Sequence, residues 1–361
     1  MKHKNDLKIA IIGAGPTGLA CALECERLGV IADVFEKSYN VGWIWPGIVV
    51  FVNVFERGMG DVRENFRREY HLDLKPSGVC RSLILKSPNA KAEINSHLGY
   101  FYYRGKHPDS IENQLIRTLK RTPIHFNRPA DYKELAKSYD YVVVATGKDT
   151  AAKELGVWED MGRVHIRGGL AMGDYPPNAT TFFYDTRYAG HGYAKLTPIT
   201  TTELELALYC IGHDEMEVDS LFNEFIVREG LEHLEFTMKY SLPVFSTGKV
   251  SKFQIDNVLL AGRAAGLTER LMGAGGVAAI ISGIMAARAI INGKDYETLM
   301  KPLKNHIENI SVLRQPLEKL DNKGLDRLIT TMGTPGIKHV FYDTDINFID
   351  MAGEVLKGIY K

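Results

Sequence analysis

The chain lacks most features that would set it apart from an ordinary globular protein. Its 361 residues include only four cysteines, Cys21, Cys25, Cys80 and Cys210. None forms a CxxC pair and no histidines stand at zinc-ligand spacing, so neither a metal site nor a disulfide framework is expected. Cys21 and Cys25 lie four apart in an apolar helical run and read as small core residues. Reduced thiols fit a cytoplasmic setting. Net charge is also lacking, since 44 basic residues balance 44 acidic ones. Nucleic acid is therefore not an expected partner, because holding a phosphate backbone needs clustered positive charge. Long apolar runs are missing too. Residues 9–12 are too few for a signal peptide and lead straight into glycines. The stretch from Gly275 to Ile291 carries Arg288 and many small residues, and reads as a buried helix rather than a membrane span. No basic amphipathic stretch stands out, so peripheral membrane contact stays an open alternative to a purely cytoplasmic protein. What remains, 45% hydrophobic and 24% charged, suffices for a large core without disulfides.

Hydrophobic periodicity orders the chain. Residues 7–12 predict a strand, 15–28 a helix and 30–35 a second strand, together a βαβ start. Residues 43–60 are aromatic and Gly-rich and predict a long loop; 61–71 predict a helix. Strands are expected at 79–86 and 98–104, and a helix at 108–121 capped by Asp109 or Ser110. Residues 140–146 predict a fully buried strand. From 162 to 255 strands dominate, interrupted by helices near 200–211 and 218–230. Val258–Ala261 predicts one more buried strand, 275–291 an apolar helix, and 296–361 further helices. The expected class is α/β. A Rossmann-like domain (1–78, 105–160 and 256–295) would interleave with a second, mixed-sheet domain (79–104 and 161–255), ahead of a helical C-terminus at 296–361.

The first chemical signal is Gly13-x-Gly15-x-x-Gly18, directly after a strand and opening a helix, with Pro16 and Thr17 inside it. The first glycine permits the tight turn, the second lets backbone approach a pyrophosphate, and the third lets helix and strand pack closely. The helix start aims N–H groups and a positive dipole end at that anion. Glu36, followed by Lys37, ends the second strand 23 residues beyond Gly13 and is placed to accept bonds from a ribose hydroxyl. A carboxylate there would repel a 2′-phosphate.

A second strand, Gly-rich turn and helix recur far downstream, at Gly262, Arg263, Ala264, Ala265, Gly266, then Gly273, Gly275 and Gly276. A single NAD would not need this second site. FAD is long enough to need two anchors, one for its ADP end and one for its flavin end. On these motifs the chain resembles the geranylgeranyl reductase family of the aromatic hydroxylase-like flavoproteins. The resemblance covers roughly residues 7–290 and implies an FAD-dependent oxidoreductase. In that family the downstream segment reads about GDAAGxxxPxxGxGI, followed by a helix with a Ser-Gly pair, here Ser282-Gly283. The resemblance also carries over Arg104 as a flavin contact and Trp45-Pro46-Gly47 as a loop passing the flavin. Thr146-Gly147 stands in an Ala-Thr-Gly segment like that of pyridine-nucleotide-linked flavoproteins. The chain departs from the family twice, with Arg263 in place of its Asp and Arg270 in place of its Pro.

On the substrate side the family's Tyr-x-Trp-x-Phe-Pro frame reads Tyr193-Ala194-Lys195-Leu196-Thr197-Pro198 here. Tyr193 and Lys195 are the candidate catalytic residues. Lys195 is read either as a contact for a carboxylate or phosphate on the substrate or as a solvent-facing strand residue. His191, Arg187, Tyr184 and Arg270 are further polar candidates, and Phe182, Phe183, Tyr184 and Tyr188 line either a pocket or a core. The resemblance implies a small-molecule substrate, lipid-like or otherwise, reduced at a C=C bond. No second intact GxGxxG supplies an NAD(P)H domain, so electrons would come from transiently docked NAD(P)H or from a small redox protein. The alternatives are a flavin-dependent monooxygenase or halogenase, for which Trp43-Ile44-Trp45-Pro46 is a partial match, and a non-enzymatic flavin- or lipid-binding protein.

Overall fold

The computed structural model describes residues 6–42, 46–344 and 346–360. In chain order the strands are β1 Ile9–Ile12, β2 Asp33–Phe35, β3 Ile48–Val52, β4 Gly78–Ser87, β5 Ala90–Tyr103, β6 Ile124–His125 and β7 Tyr141–Val144. They continue with β8 Trp158–Met172, β9 Ala179–Phe183, β10 Tyr193–Pro198, β11 Glu203–Cys210, β12 Glu235–Val250, β13 Gln254–Ile255 and β14 Val258–Leu260.

These strands form two sheets. The first has the order β13-β14-β7-β1-β2-β6, parallel from β14 to β6. Its central strands IAII and YVVV are apolar because helices cover both faces of a parallel sheet. The second has the order β12-β8-β11-β10-β9-β4-β5-β3 and is antiparallel except where β4 meets β9. The chain crosses between sheets repeatedly: β3 to β5 intervene between β2 and β6, and β8 to β12 between β7 and β13.

Two helices lie together beside the first sheet, Pro16–Arg27 and Gly276–Asn292. Their approach is as close as backbone allows, because a Cβ on Gly283 would run into the Thr17 carbonyl. Glu24, buried on the first helix, accepts 2.6 Å bonds from both Arg27 and Arg288 and ties the two together. The four cysteines are buried and free, and burial pushes the thiols of Cys80 and Cys210 up to about 12.

Three local expectations need correction. Residues 203–210 form a strand, not a helix. Glu, Leu and Ala favour helices, but ELELALYC alternates with period two, and Leu204, Leu206, Leu208 and Cys210 all enter one buried cluster. The 43–60 loop contains β3, whose residues pair with β5 in the second sheet. The strand expected at 98–104 is the end of a fourteen-residue strand. Beyond residue 296 helices do dominate, led by Tyr296–Val312, Asn322–Met332 and Phe348–Ile359.

Candidate functional site

The Gly13–Gly18 turn joins β1 to the first helix at the carboxyl ends of the parallel strands, where open α/β sheets bind ligands. Gly13 has φ +106°, and its Cβ would sit 2.6 Å from the Ala145 carbonyl oxygen. That contact places the Ala145-Thr146-Gly147 segment against the turn. A Cβ on Gly18 would collide with the Gly13 carbonyl, whereas one on Gly15 would meet nothing within 4 Å. The middle glycine thus faces open space at the start of a helix that has Pro16 at its first position and no side-chain cap. The Glu36 carboxylate hangs at the rim. It accepts the Ala14 and Ser38 N–H groups at 2.8 Å each, and Lys37 beside it is exposed.

The downstream glycines arrive at the same place. Gly262 has φ +62°, and a Cβ there would strike the Thr17 hydroxyl. Its N–H donates to Ser282 Oγ at 2.9 Å, and that hydroxyl in turn donates to the Ala279 carbonyl. Ser282 thereby orients the turn while Gly283 admits the first helix. Gly275 and Gly276 open the second helix, again without a side-chain cap. A Cβ on Gly276 would press into the Phe51 ring at 2.6 Å.

Between these anchors stand two arginines. Arg263 lies over the Phe245 ring at 4.5 Å, and burial, then the Arg104 charge, pushes its pKa down to about 10. Arg104 donates through Nε to Glu112 at 2.9 Å, and its backbone N–H to the Gly47 carbonyl. Pro46 and Gly47 border the site, with Gly47 at φ +95° packed directly on the Glu205 carboxylate. Trp45 lies outside the described residues, as do Trp43 and Ile44.

Lys195 is neither solvent-facing nor loose. Its Nζ lies 2.9 Å from Glu205 and donates to the Ile48 carbonyl at 3.0 Å. Burial alone would lower the ammonium pKa, but Glu205 and Tyr209 together outweigh it and raise the value. Tyr240 donates to Glu205 at 2.6 Å, and Tyr209 hydrogen-bonds Lys195. Tyr193 stacks on Tyr209 with ring centroids 4.6 Å apart and donates its phenol proton to the Met272 carbonyl at 2.7 Å. Burial pushes its pKa well up.

The structure therefore brings together Thr17, Gly262 and Ser282, Arg104 and Arg263, and Gly47 with Lys195. Two polar candidates lie elsewhere. Arg187 is paired with Asp185, and the exposed His191 engages through its backbone, donating its N–H to the Ile211 carbonyl and accepting from Arg314. Phe183 and Tyr188 pack on Phe225 under the opposite face of the second sheet, while Phe182 joins Tyr193 on the site face. Sequence reading missed Glu205 and Tyr209, because a helix at 200–211 would not pair with residues 193–198, whereas the strand sets Tyr209 opposite Tyr193 and Glu205 opposite Thr197, on one face with Lys195. It also missed Glu269, buried in the loop before the second helix. Its carboxylate accepts N–H bonds from Leu271 at 2.5 Å and Ala274 at 2.6 Å, and burial raises its pKa to about 7.

Comparison with solved structures shows that the fold is a known one. A geranylgeranyl bacteriochlorophyll reductase-like protein from Thermoplasma acidophilum superposes with a TM-score of 0.70 at 14% identity, over 97% of this chain and 99% of that one. A flavin-dependent brominase gives 0.68 at 14%, over 98% and 97%. The fold is shared with flavin-dependent enzymes. A p-nitrophenol 4-monooxygenase from Pseudomonas putida DLL-E4 has it as well, with a TM-score of 0.61 at 15% identity over 97% and 95%. No protein-family model matches the chain. An uncharacterised protein of Methanocaldococcus jannaschii is 27% identical over 143 residues, which span 40% of this chain and 32% of that protein. No described helix is long and apolar enough to cross a membrane.

Proposed function

We propose that the protein is an FAD-dependent oxidoreductase, a reductase or dehydrogenase acting on a C=C bond of a small organic substrate. The observation that carries this reading is the meeting of Gly262 with Thr17, which brings two uncapped helix starts from opposite ends of the chain to one cradle. The Gly13–Gly18 turn would hold the pyrophosphate, with the open space at Gly15 admitting it. Glu36 would take the ribose hydroxyls and release Ala14 or Ser38 in exchange. Gly262, Arg263, Arg104 and the 273–276 segment would flank the remainder, and Thr146-Gly147 and Pro46-Gly47 would border it. The first sheet with its helices forms the cofactor half and the second sheet roofs the substrate.

Bound FAD would supply the two-electron chemistry. The chain's own residues supply position and a proton. The Tyr193 proton is committed to the Met272 carbonyl, so that ring positions substrate rather than donating to it. Burial raises the Tyr209 pKa and Lys195 partly offsets that by stabilising negative charge on its oxygen, so Tyr209 would be the proton donor and Lys195 its support. The buried ion pair under this face is poorly suited to a long hydrocarbon, which favours a compact substrate over a full isoprenoid chain. The electron donor is NAD(P)H docked transiently or a small redox protein.

The test is anaerobic reduction of FAD-loaded protein by NADPH, NADH or a reduced ferredoxin, followed by addition of air. Prompt reoxidation without an oxygenated flavin absorbance supports the reductase. A persistent oxygenated species favours the monooxygenase or halogenase, in keeping with the shared fold. No reduction by any donor refutes an oxidoreductase.

A further inference from the structure

A cavity of about 30 Å³ opens beside the loop that precedes the second helix, and it holds one or two waters or a single small head group. Its inner wall is the stacked pair Tyr193 and Tyr209, with Met161, Ile211 and Met272 as apolar neighbours. Its polar lining is unbalanced. Arg163, Arg270 and Arg314 reach it, against one carboxylate, Glu318. Arg314, 1% exposed, spends itself on Glu318 at 2.9 Å and on the His191 and Leu271 carbonyls. Arg270 is left 3.8 Å from that same carboxylate, beyond hydrogen-bond reach, and exposed Arg163 has no ion pair among the described residues. Three guanidinium groups thus share one carboxylate beside an aromatic wall, which leaves the lining with an excess of positive charge. A planar fork is the donor geometry that fits an oxyanion with two acceptor oxygens.

We infer that this cavity is an oxyanion head-group subsite, taking the carboxylate or phosphate of a substrate whose apolar or aromatic body lies along Tyr193 and Tyr209. The inference rests on the flavin reading above and names the substrate class for that site. It also accounts for Arg270, which stands at a loop position where the resembled family has proline: a rigid turn residue is exchanged for a charge aimed at the ligand.

The test uses FAD-loaded protein titrated with benzoate, phenyl phosphate and, as the neutral isostere, benzamide, in low and high salt. Binding is read by calorimetry and by perturbation of the flavin absorbance. The expected result is saturable binding of at least one anion that weakens with salt, at least ten-fold weaker binding of benzamide, and at least ten-fold loss of anion affinity in Arg270→Gln and Arg163→Gln. The stronger of the two anions tells carboxylate from phosphate. Equal binding of benzamide, or anion binding unchanged in both variants, overturns the inference. Flavin content, measured first on each sample, keeps the two readings apart. Protein that holds FAD but ignores charge refutes the subsite alone, and protein that never takes up FAD refutes the flavin assignment beneath it. Circular dichroism and melting of each variant separate lost binding from lost folding.

Discussion

Replacing Gly262 with alanine probes the junction of the two glycine segments directly. The residue sits at φ +62°, a left-handed conformation that costs an L-residue roughly 1–2 kcal/mol. The new methyl would also enter the space of the Thr17 hydroxyl and methyl, and overpacking of that kind costs about 1–3 kcal/mol. Gly262→Ala should therefore lose about 2–5 kcal/mol in urea unfolding. Thr17→Ala removes the atoms in the way but leaves the backbone strain. The double variant should recover the overpacking share, a coupling of about 1–3 kcal/mol between residues 245 positions apart in sequence. Single costs that add to within about 0.5 kcal/mol would mean that the two segments do not touch, and the reasoning would fail.

Four further outcomes are expected. Lys195→Met should cost about 3–5 kcal/mol by leaving Glu205 buried and uncompensated, and Lys195→Met with Glu205→Leu should recover most of it in denaturant titration. Ser282→Ala should cost about 1–3 kcal/mol in the same assay by stranding the buried Gly262 N–H. Glu269 has a folded pKa of about 7 against an unfolded 4.5, so the fold binds the extra proton; stability should fall as pH rises from 4.5 toward 7, and Glu269→Gln should flatten that slope. His306 is raised to about 10 by Asp350 and Glu56 although burial opposes it. Its contribution is full below pH 6.5 and fades toward 10, and His306→Ala should expose residues 346–360 to limited proteolysis at neutral pH.

The parts of the fold legible in the sequence were those where one residue type has one physical use. Gly13, Gly15 and Gly18 have separate roles in the sequence pattern, and in the structure an added Cβ would meet backbone at Gly13 and Gly18 and open space at Gly15. The apolar strands β1, β7 and β14 announced a buried parallel sheet in the same way. What could not be read was cross-strand company. Lys195 looked like a choice between ligand contact and solvent, because its partner Glu205 lay in a segment whose composition is helical and whose period is not. Once β10 and β11 are paired, the choice disappears: the lysine is buried on a carboxylate, and Tyr209 comes forward. Arg263 shows the opposite limit. Its departure from the resembled pattern was plain in the sequence, but its seat over Phe245 depends on β12, which bulges between Leu242 and Phe245 in its pairing with β8. No local pattern specifies that register.

The most direct test of the account is the small molecule the protein carries. Purified protein denatured and analysed by mass spectrometry should release FAD in about one-to-one amount, and Gly15→Leu, which fills the open space before the first helix, should release little while remaining folded. Wild-type protein that releases no flavin, and takes up none when FAD is added, would contradict the claim that the two glycine turns share one cofactor.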